Sequence, residues 1–423
     1  MITFMLVILG ICLLCAVPIF VSLGISCFGS LVPTTIDPVI IVQRYFSGID
    51  KFALMALPFF IISANFMDSG GLSKRILAMA RALVGHITGG MALTTQLACM
   101  FFGALSGSAP ATVVAIGKTM YPELEKAKYD KSFISGLLSS AGSVALIIPP
   151  GVTLIIYATV TGASVSDLFM AGIGAGIVYG LVSMIYIYFY SKKHHIAKEK
   201  KVSRHELWVA LKDSWAALLV PVIILGGIYS GIFTPTEAAG VSVIYAFIIG
   251  KFVYKELTWK KAFETCKRSA VTCGQVLMLT AAAQALGWVL TVGQVPQVVT
   301  TSLLANLKSP ALFLLLLNFI LLIMGMFIEG TAAIIIIAPL ILSVAQALGV
   351  DMVHLGIIMV SNLAIGMFTP PFGMNIFVTS SITKQGMAEM LPGLMRFLLV
   401  DLIALAIITY IPQVSLFLPS LLK

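Results

Sequence analysis

The stretches of this 423-residue chain that run without a single charged side chain include 1–36, 132–166, 168–191, 214–236, 269–307, 309–328, 330–350 and 402–422. Each reaches the roughly 20 apolar residues that an α-helix needs to cross the hydrocarbon core of a bilayer, and several have room for more than one element. Soluble domains carry about 25% charged residues, whereas this chain carries 10%, with 59% hydrophobic residues and a mean hydropathy of +1.06. A transmembrane β-barrel would show segments of about 10 residues alternating apolar with polar, and these runs of Leu, Ile, Val, Ala and Gly do not alternate. The fold class is therefore an all-α polytopic membrane protein. The first stretch lacks the charged flank and small-residue cleavage site of a signal peptide and is too long for one, so it is expected to remain as the first membrane helix. Cys12, Cys15 and Cys27 lie in it; Cys12 and Cys15 have no second pair at metal-site spacing and read as packing residues.

The net charge of +9 does not point to nucleic acid, because the basic residues bunch beside membrane segments instead of along one soluble face. Two segments are strongly basic. One is 192–204, with Lys192, Lys193, Lys198, Lys200, Lys201 and Arg204; the other is 251–268, with Lys251, Lys255, Lys260, Lys261, Lys267 and Arg268. The excess of Lys and Arg on cytoplasmic loops assigns both to the cytoplasm. Between them fit two crossings, about 209–230 and 235–250, joined by an uncharged turn near 228–235. The loops 30–50, 294–308 and 346–354 hold few basic residues, as the opposite face should. Residues 71–90 place Lys74, Arg75 and Arg81 among Ile76, Leu77, Met79, Leu83 and Val84, a pattern suited equally to a helix lying in the interface and to a plain connector. Residues 118–131 mix both signs of charge and read as a solvated loop.

An internal repeat carries most of the functional information. A small, polar, helix-breaking string interrupts an apolar stretch in each half, GALSGSAPAT at 103–112 and GMFIEGTAA at 325–333. Each is followed by a proline pair in an apolar run, Pro149 and Pro150 in the first half and Pro370 and Pro371 in the second. From Ser108 to Pro149 is 41 positions, and from Thr331 to Pro370 is 39. Proline removes an N–H and crowds the carbonyl one turn earlier. Irregular backbone at membrane depth is tolerated only where it is buried in protein or lines a wet cavity. Isolated kinks are common, but recurrence in both halves points to a central pocket flanked by two re-entrant hairpins. Carbonyls at a hairpin tip and an unwound helix can form an oxygen cage for Na⁺, and helix N-termini beside them attract an anion. One cation site per repeat is expected: Ser106, Ser108, Gly142, Ala145 and Pro149 in the first, and Thr331, Gly366, Thr369 and Pro370 in the second. Sodium is the only metal expected, and no organic cofactor.

Ionisable and amide side chains at membrane depth are functional suspects. Glu329, at the second tip, is the foremost substrate-binding candidate, with a hairpin-stabilising hydrogen bond as the alternative. Asn65 and Asn375 are candidates either to contact substrate or to bridge helices. Glu237, in Thr234-Pro235-Thr236-Glu237, forms a capping box with proline at the first helical position and reads as a cap. Asp401 and Arg396 lie on the last apolar segment and are left to interhelical partners or an interface. Enzyme motifs fail. Gly117-Lys118-Thr119 resembles the end of a phosphate-binding loop, but Thr112 stands where its first glycine belongs, and His205-Glu206 is followed by Val209 where a zinc-protease helix needs histidine. No grouping of Ser, His and Asp stands out, so an enzyme is not expected.

Together, Leu57-Pro58-Phe59-Phe60, the 103–108 string, Ile148-Pro149-Pro150-Gly151, the GIFTPTEAA of 231–239 and the TPPFGMN of 369–375 resemble the large membrane subunit of tripartite ATP-independent periplasmic (TRAP) transporters, over about 50–411. The resemblance implies inverted repeats and an elevator-type carrier, in which a transport domain slides against a scaffold, driven by Na⁺ symport. On that basis 1–70 are N-terminal scaffold helices, 71–190 the first repeat with hairpin 1, 191–268 scaffold helices with the basic loops, 269–385 the second repeat with hairpin 2, and 386–423 a C-terminal scaffold helix. It also implies the bacterial inner membrane, a periplasmic substrate-binding protein and a small four-helix membrane subunit as partners, the latter expected as a separate chain. The implied substrates are organic acid anions such as C4-dicarboxylates and sialic acid. One departure is the Ile328-Glu329-Gly330-Thr331 tip, where the family pattern is of an Asp-Thr type. The competing reading is a stand-alone hairpin-type anion/Na⁺ symporter that needs no binding protein.

Overall fold

Proline, glycine and short polar caps cut the apolar runs into helices. The computed structural model describes all residues except 16, 197, 199, 200, 307, 308, 422 and 423, so Lys200 and Lys308 lie outside the described residues. The first run yields α1 (Ile2–Leu14) and α2 (Ile19–Leu31), followed by α3 (Val39–Ile49), α4 (Ala56–Ser69) and α5 (Leu72–Val84). Next come α6 (Gly90–Ser106), α7 (Ala109–Lys126), α8 (Lys131–Ser143), α9 (Val152–Thr161) and α10 (Val165–Lys193). The middle of the chain forms α11 (Arg204–Tyr229), α12 (Pro235–Ile248), α13 (Trp259–Val292) and α14 (Val295–Asn306). The second half closes with α15 (Pro310–Phe327), α16 (Gly330–Ala347), α17 (Met352–Gly366), α18 (Met374–Thr383), α19 (Met387–Tyr410) and α20 (Gln413–Leu421). Among the described residues eight helices are long and apolar enough to cross a membrane.

Three expectations change. Residues 1–36 do not form one long helix: Pro18 is the N-cap of α2 and separates it from α1, because its ring cannot continue a helix begun upstream. At 1.5 Å per residue each 13-residue piece is only about 20 Å long, and the two pack on each other. The expected loop at 118–131 is helical to Lys126, where Glu123 pairs with Lys126 at 3.0 Å; Glu125 pairs with Lys131 at 3.3 Å across the turn that follows. The basic segment 251–268 is also largely helical: from Trp259 it forms the start of α13, whose Thr258 N-cap accepts from the Lys261 amide. At 34 residues this helix is about 51 Å long, so its charged first turns extend beyond an apolar slab of about 30 Å. The amphipathic 71–90 segment contains α5, which packs on α6 and α11, while Arg75 reaches Glu256 at 2.9 Å, Asp213 at 3.5 Å and the Tyr254 ring at 3.7 Å.

The repeat is more regular than its sequence suggests. α6 through α10 recur as α15 through α19 with a nearly constant displacement of 220 to 222 positions at their starts. The punctuation recurs as well. Lys128 and Gly349 both have positive φ, Asp130 and Asp351 both cap the following helix, and Gly162 and Lys384 both end a helix in the left-handed conformation. Pro149-Pro150 and Pro370-Pro371 are cis in both repeats. The repeats interlock: α8 packs on α19, α10 on α17, α7 on α18 and α16 on α9. α19, which the sequence boundary at 386 sets apart, is thus the counterpart of α10 and packs along the first repeat.

Candidate functional site

Each helical hairpin turns over two residues. Gly107, with φ of +58°, and Ser108 connect α6 to α7, while Ile328 and Glu329 connect α15 to α16. Ser108 and Glu329 are equivalent positions, and each is the N-cap of the second arm. Backbone proximity explains the glycines around these tips. A Cβ on Gly103 would lie 2.8 Å from Ala145 Cα, and one on Gly325 would lie 2.8 Å from Gly366 Cα. In both repeats, therefore, the first hairpin arm presses against the end of the helix that precedes the proline pair.

The structure brings Ser106, Ser108, Gly142 and Ala145 of the first cation set around one tip, with Pro149 packed against Gly172 of α10. Gly107 faces the Pro150 carbonyl, where a Cβ would stand 2.6 Å away, and Gly142 faces the Ala109 carbonyl at 3.3 Å by the same measure. Ser106 and Thr112 hydroxyls lie 2.8 Å apart, and Thr112 donates to the Ser108 carbonyl at 2.9 Å. The tip is thus an oxygen-rich turn packed on the unwound segment at 144–151. In the second set Gly366 abuts the α15 arm, Thr369 donates to the Ile365 carbonyl at 2.8 Å, and Thr331 donates to a Glu329 carboxylate oxygen at 2.8 Å. Thr331 and Thr369 are buried. Pro370 sits at the partly exposed end of that segment.

Both tips open on one cavity of about 490 Å³. Ser106, Ser108, Glu329 and Thr331 line it from the tips, Asn65 and Asp68 from α4, and Thr272 and Gln275 from α13. Met367 and Met374 close another side. Among the described residues its acidic lining groups are Asp68 and Glu329, and none of those lining it is basic. Thr153 also lines it, with a buried hydroxyl that has no hydrogen-bond partner among the described residues. Asn65 lines the cavity and also bridges helices, donating to Ser269 at 2.8 Å across the α4–α13 contact. Asn375 is not brought to the cavity; its amide donates at 3.0 Å to both the Ser139 carbonyl and the Ser143 hydroxyl, bridging α18 to α8.

Sequence reasoning missed Asp68, Thr153, Thr272 and Gln275. Thr272 and Gln275 lie in an apolar helix about 60 residues before the nearer tip, and no local motif marks them. Asp68 was the findable one, being an acid in the last turn of an apolar stretch. Away from the cavity, Glu237 forms the expected capping box, with its carboxylate 2.8 Å from the Thr234 amide and the Thr234 hydroxyl returning to the Glu237 amide at 3.3 Å. Asp401 is fully buried and accepts from Ser140 at 2.5 Å and from Tyr179 and Ser183 at 2.7 Å each. Among the described residues no group of three or more His, Cys, Asp or Glu side chains could hold a metal.

Residues 6–414 match the family described as tripartite ATP-independent periplasmic transporter, DctM component. The chain is 40% identical over 411 residues to the isethionate TRAP transporter permease protein DctMQ of Oleidesulfovibrio alaskensis, covering 96% of this chain but only 64% of that protein's length. It is also 40% identical over 429 residues to the C4-dicarboxylate TRAP transporter large permease protein DctM of Vibrio cholerae, covering 96% and 94% of the two. Among solved structures, the Alcanivorax borkumensis YdaH transporter superposes with a TM-score of 0.60 over 89% of this chain and 88% of that one. At 12% identity this likeness speaks for the fold alone.

Proposed function

This chain belongs to the DctM-component family of TRAP transporters, as a multi-pass permease of the bacterial inner membrane and not an enzyme, and from that premise we propose that it carries a small organic acid anion into the cytoplasm by Na⁺ symport. One observation carries the reading: equivalent hairpin tips from two repeats, Ser108 and Glu329, face each other's territory across a single cavity. A carrier that alternates between two faces needs a site enclosed from both repeats, and discontinuous helices at mid-membrane are the usual means.

The two helix N-termini at the cavity are not alike. The α7 terminus carries the neutral cap Ser108, so its partial positive charge is available to a carboxylate. The α16 terminus instead carries an acid as its N-cap, Glu329, whose carboxylate accepts from the Thr331 hydroxyl at 2.8 Å. We assign the substrate anion to the α7 terminus with Asn65 beside it, and assign Glu329 to the cation side. The oxygen-rich turn of Ser106 and Ser108 against Gly142, Ala145 and Pro149 is the proposed first Na⁺ site. Thr331, Gly366, Thr369 and Pro370 are the proposed second. Asn375 supports this framework from α18, through its bonds to α8, instead of touching substrate.

The α6–α10 and α15–α19 repeats would form the moving transport part, with α19 included because it packs along α8, and α1–α4 with α11–α13 the scaffold. A periplasmic substrate-binding protein and a small membrane subunit are the proposed partners. Relatives of equal identity are named for isethionate and for C4-dicarboxylate, so overall similarity does not choose the substrate. The test is uptake of labelled succinate, N-acetylneuraminate and isethionate into proteoliposomes holding this chain and its small partner. Uptake that needs both the binding protein and an inward Na⁺ gradient is expected. Uptake indifferent to the binding protein would favour the stand-alone symporter, and Na⁺-independent uptake would overturn the coupling.

A further inference from the structure

A second pocket, of about 470 Å³, lies against the central cavity and has the opposite charge character. Ser69 of α4 lines it together with Lys260, Lys261, Glu264, Thr265 and Arg268 of α13. The two spaces share both walls: Asp68 faces the central cavity and Ser69 the second pocket, while Thr272 faces the first and Arg268, one helical turn earlier, the second. The walls between them are polar. Asn65 bonds Ser269 at 2.8 Å, Ser69 meets Thr265 at 3.1 Å, and the Thr272 hydroxyl donates to the Arg268 carbonyl at 3.2 Å. These groups satisfy one another's hydrogen bonds, so the α4–α13 contact between the two spaces tolerates water on either side. Among the described residues the central cavity has no basic lining residue, whereas the second pocket has three basic residues against one acid. Lys260 and Lys261 belong to the segment that the charge distribution assigns to the cytoplasm.

We propose that this pocket is a cytoplasm-facing vestibule that binds the carboxylate of the organic anion after it leaves the central cavity, with Lys260, Lys261 and Arg268 as the anion-binding residues. The proposal rests on the anion-transport reading. An anion leaving a cavity that contains Asp68 and Glu329 gains Coulomb attraction on entering the basic pocket, and the exposed heads of Lys260, Lys261 and Arg268 keep that attraction weak enough for release into water.

The experiment measures transport kinetics of the complete membrane complex in inside-out and right-side-out vesicles, using succinate, N-acetylneuraminate and isethionate as probes. For Arg268→Gln and for the Lys260→Gln/Lys261→Gln pair, the KM measured from the cytoplasmic side is expected to rise about fivefold, the equivalent of one exposed charge contact of order 1 kcal/mol. KM from the periplasmic side should stay within twofold, and Arg268→Lys should restore the cytoplasmic value. Loss of the wild-type salt dependence of cytoplasmic KM is the accompanying signature. An unchanged cytoplasmic KM in correctly assembled variants overturns the vestibule. So does an equal loss from both sides that anionic phospholipid reverses, which would make the pocket a lipid-headgroup site. A wild-type complex that moves none of the three probes refutes the anion-transport reading itself, before any variant is compared.

Discussion

Asp401 offers the sharpest quantitative test of the structure. Its carboxylate is fully buried among α8, α10 and α19 and receives three hydroxyl hydrogens, with Ser140 and Tyr179 on one oxygen and Ser183 on the other. An ionised carboxylate can accept all three bonds, whereas a protonated acid would donate one of them, so the strength of the bonds tells the two states apart. Hydrogen bonds to a charged group contribute about 1.5–3 kcal/mol, whereas neutral side-chain bonds between transmembrane helices average ~0.6 kcal/mol in double-mutant cycles. The cycle of Asp401→Asn with Tyr179→Phe separates the two cases, because it isolates the pairwise term from the cost of each truncation. A coupling of about 1.5–2 kcal/mol is expected, with a similar value for Asp401→Asn with Ser183→Ala. The assay is equilibrium unfolding of the purified protein in mixed micelles. Since Asp401 does not line the cavity, substrate KM of the surviving folded variant should be unchanged. A coupling at or below ~0.6 kcal/mol would refute the ionised network, and a shifted KM would refute its separation from the transport site.

Glu329→Gln should raise the Na⁺ concentration for half-maximal uptake about tenfold while leaving the KM for substrate within twofold, since one carboxylate charge near a cation at partly screened distance is of order 1–2 kcal/mol; a Na⁺ response equal to wild type would remove Glu329 from the cation side. Gly325→Val places a branched side chain where even a Cβ would lie 2.8 Å from Gly366 Cα, so overpacking should cost about 1–3 kcal/mol in unfolding measurements. The equivalent change at Gly103 should behave alike. Glu237→Ala removes one side of the α12 capping box and should lower the unfolding midpoint slightly with no change in transport kinetics.

Much of the architecture was legible in one dimension. Uncharged runs of spanning length set the membrane class, because no aqueous surface could be built from them. The two polar strings and the two proline pairs located the helix breaks at 107–108 and 328–329 and the irregular segments at both proline pairs, since proline and glycine interrupt the backbone hydrogen bonding that a helix needs. Thr234 and Glu237 announced a cap because their spacing is itself the geometry. Other elements misled for equally physical reasons: charge alone could not tell a loop at 259–268 from the protruding first turns of a 34-residue helix, and hydropathy alone passed over the break at Pro18.

Only the folded chain decided which polar residues share a space. Asn65 and Asn375 are indistinguishable as sequence suspects, yet one lines the cavity and the other is sealed between α18 and α8, because that choice is made by the rotation of each helix against its neighbours. Asp401 gains its three partners from helices more than 200 positions away, and Asp68, Thr272 and Gln275 join Ser108 and Glu329 only where α4 and α13 pass the hairpin tips. The sequence by itself determined where the backbone must break and which medium it must inhabit, since both follow from local hydrogen bonding and transfer free energy. Tertiary packing decided what those breaks enclose, because a cavity is a property of surfaces that meet, and no segment carries it alone.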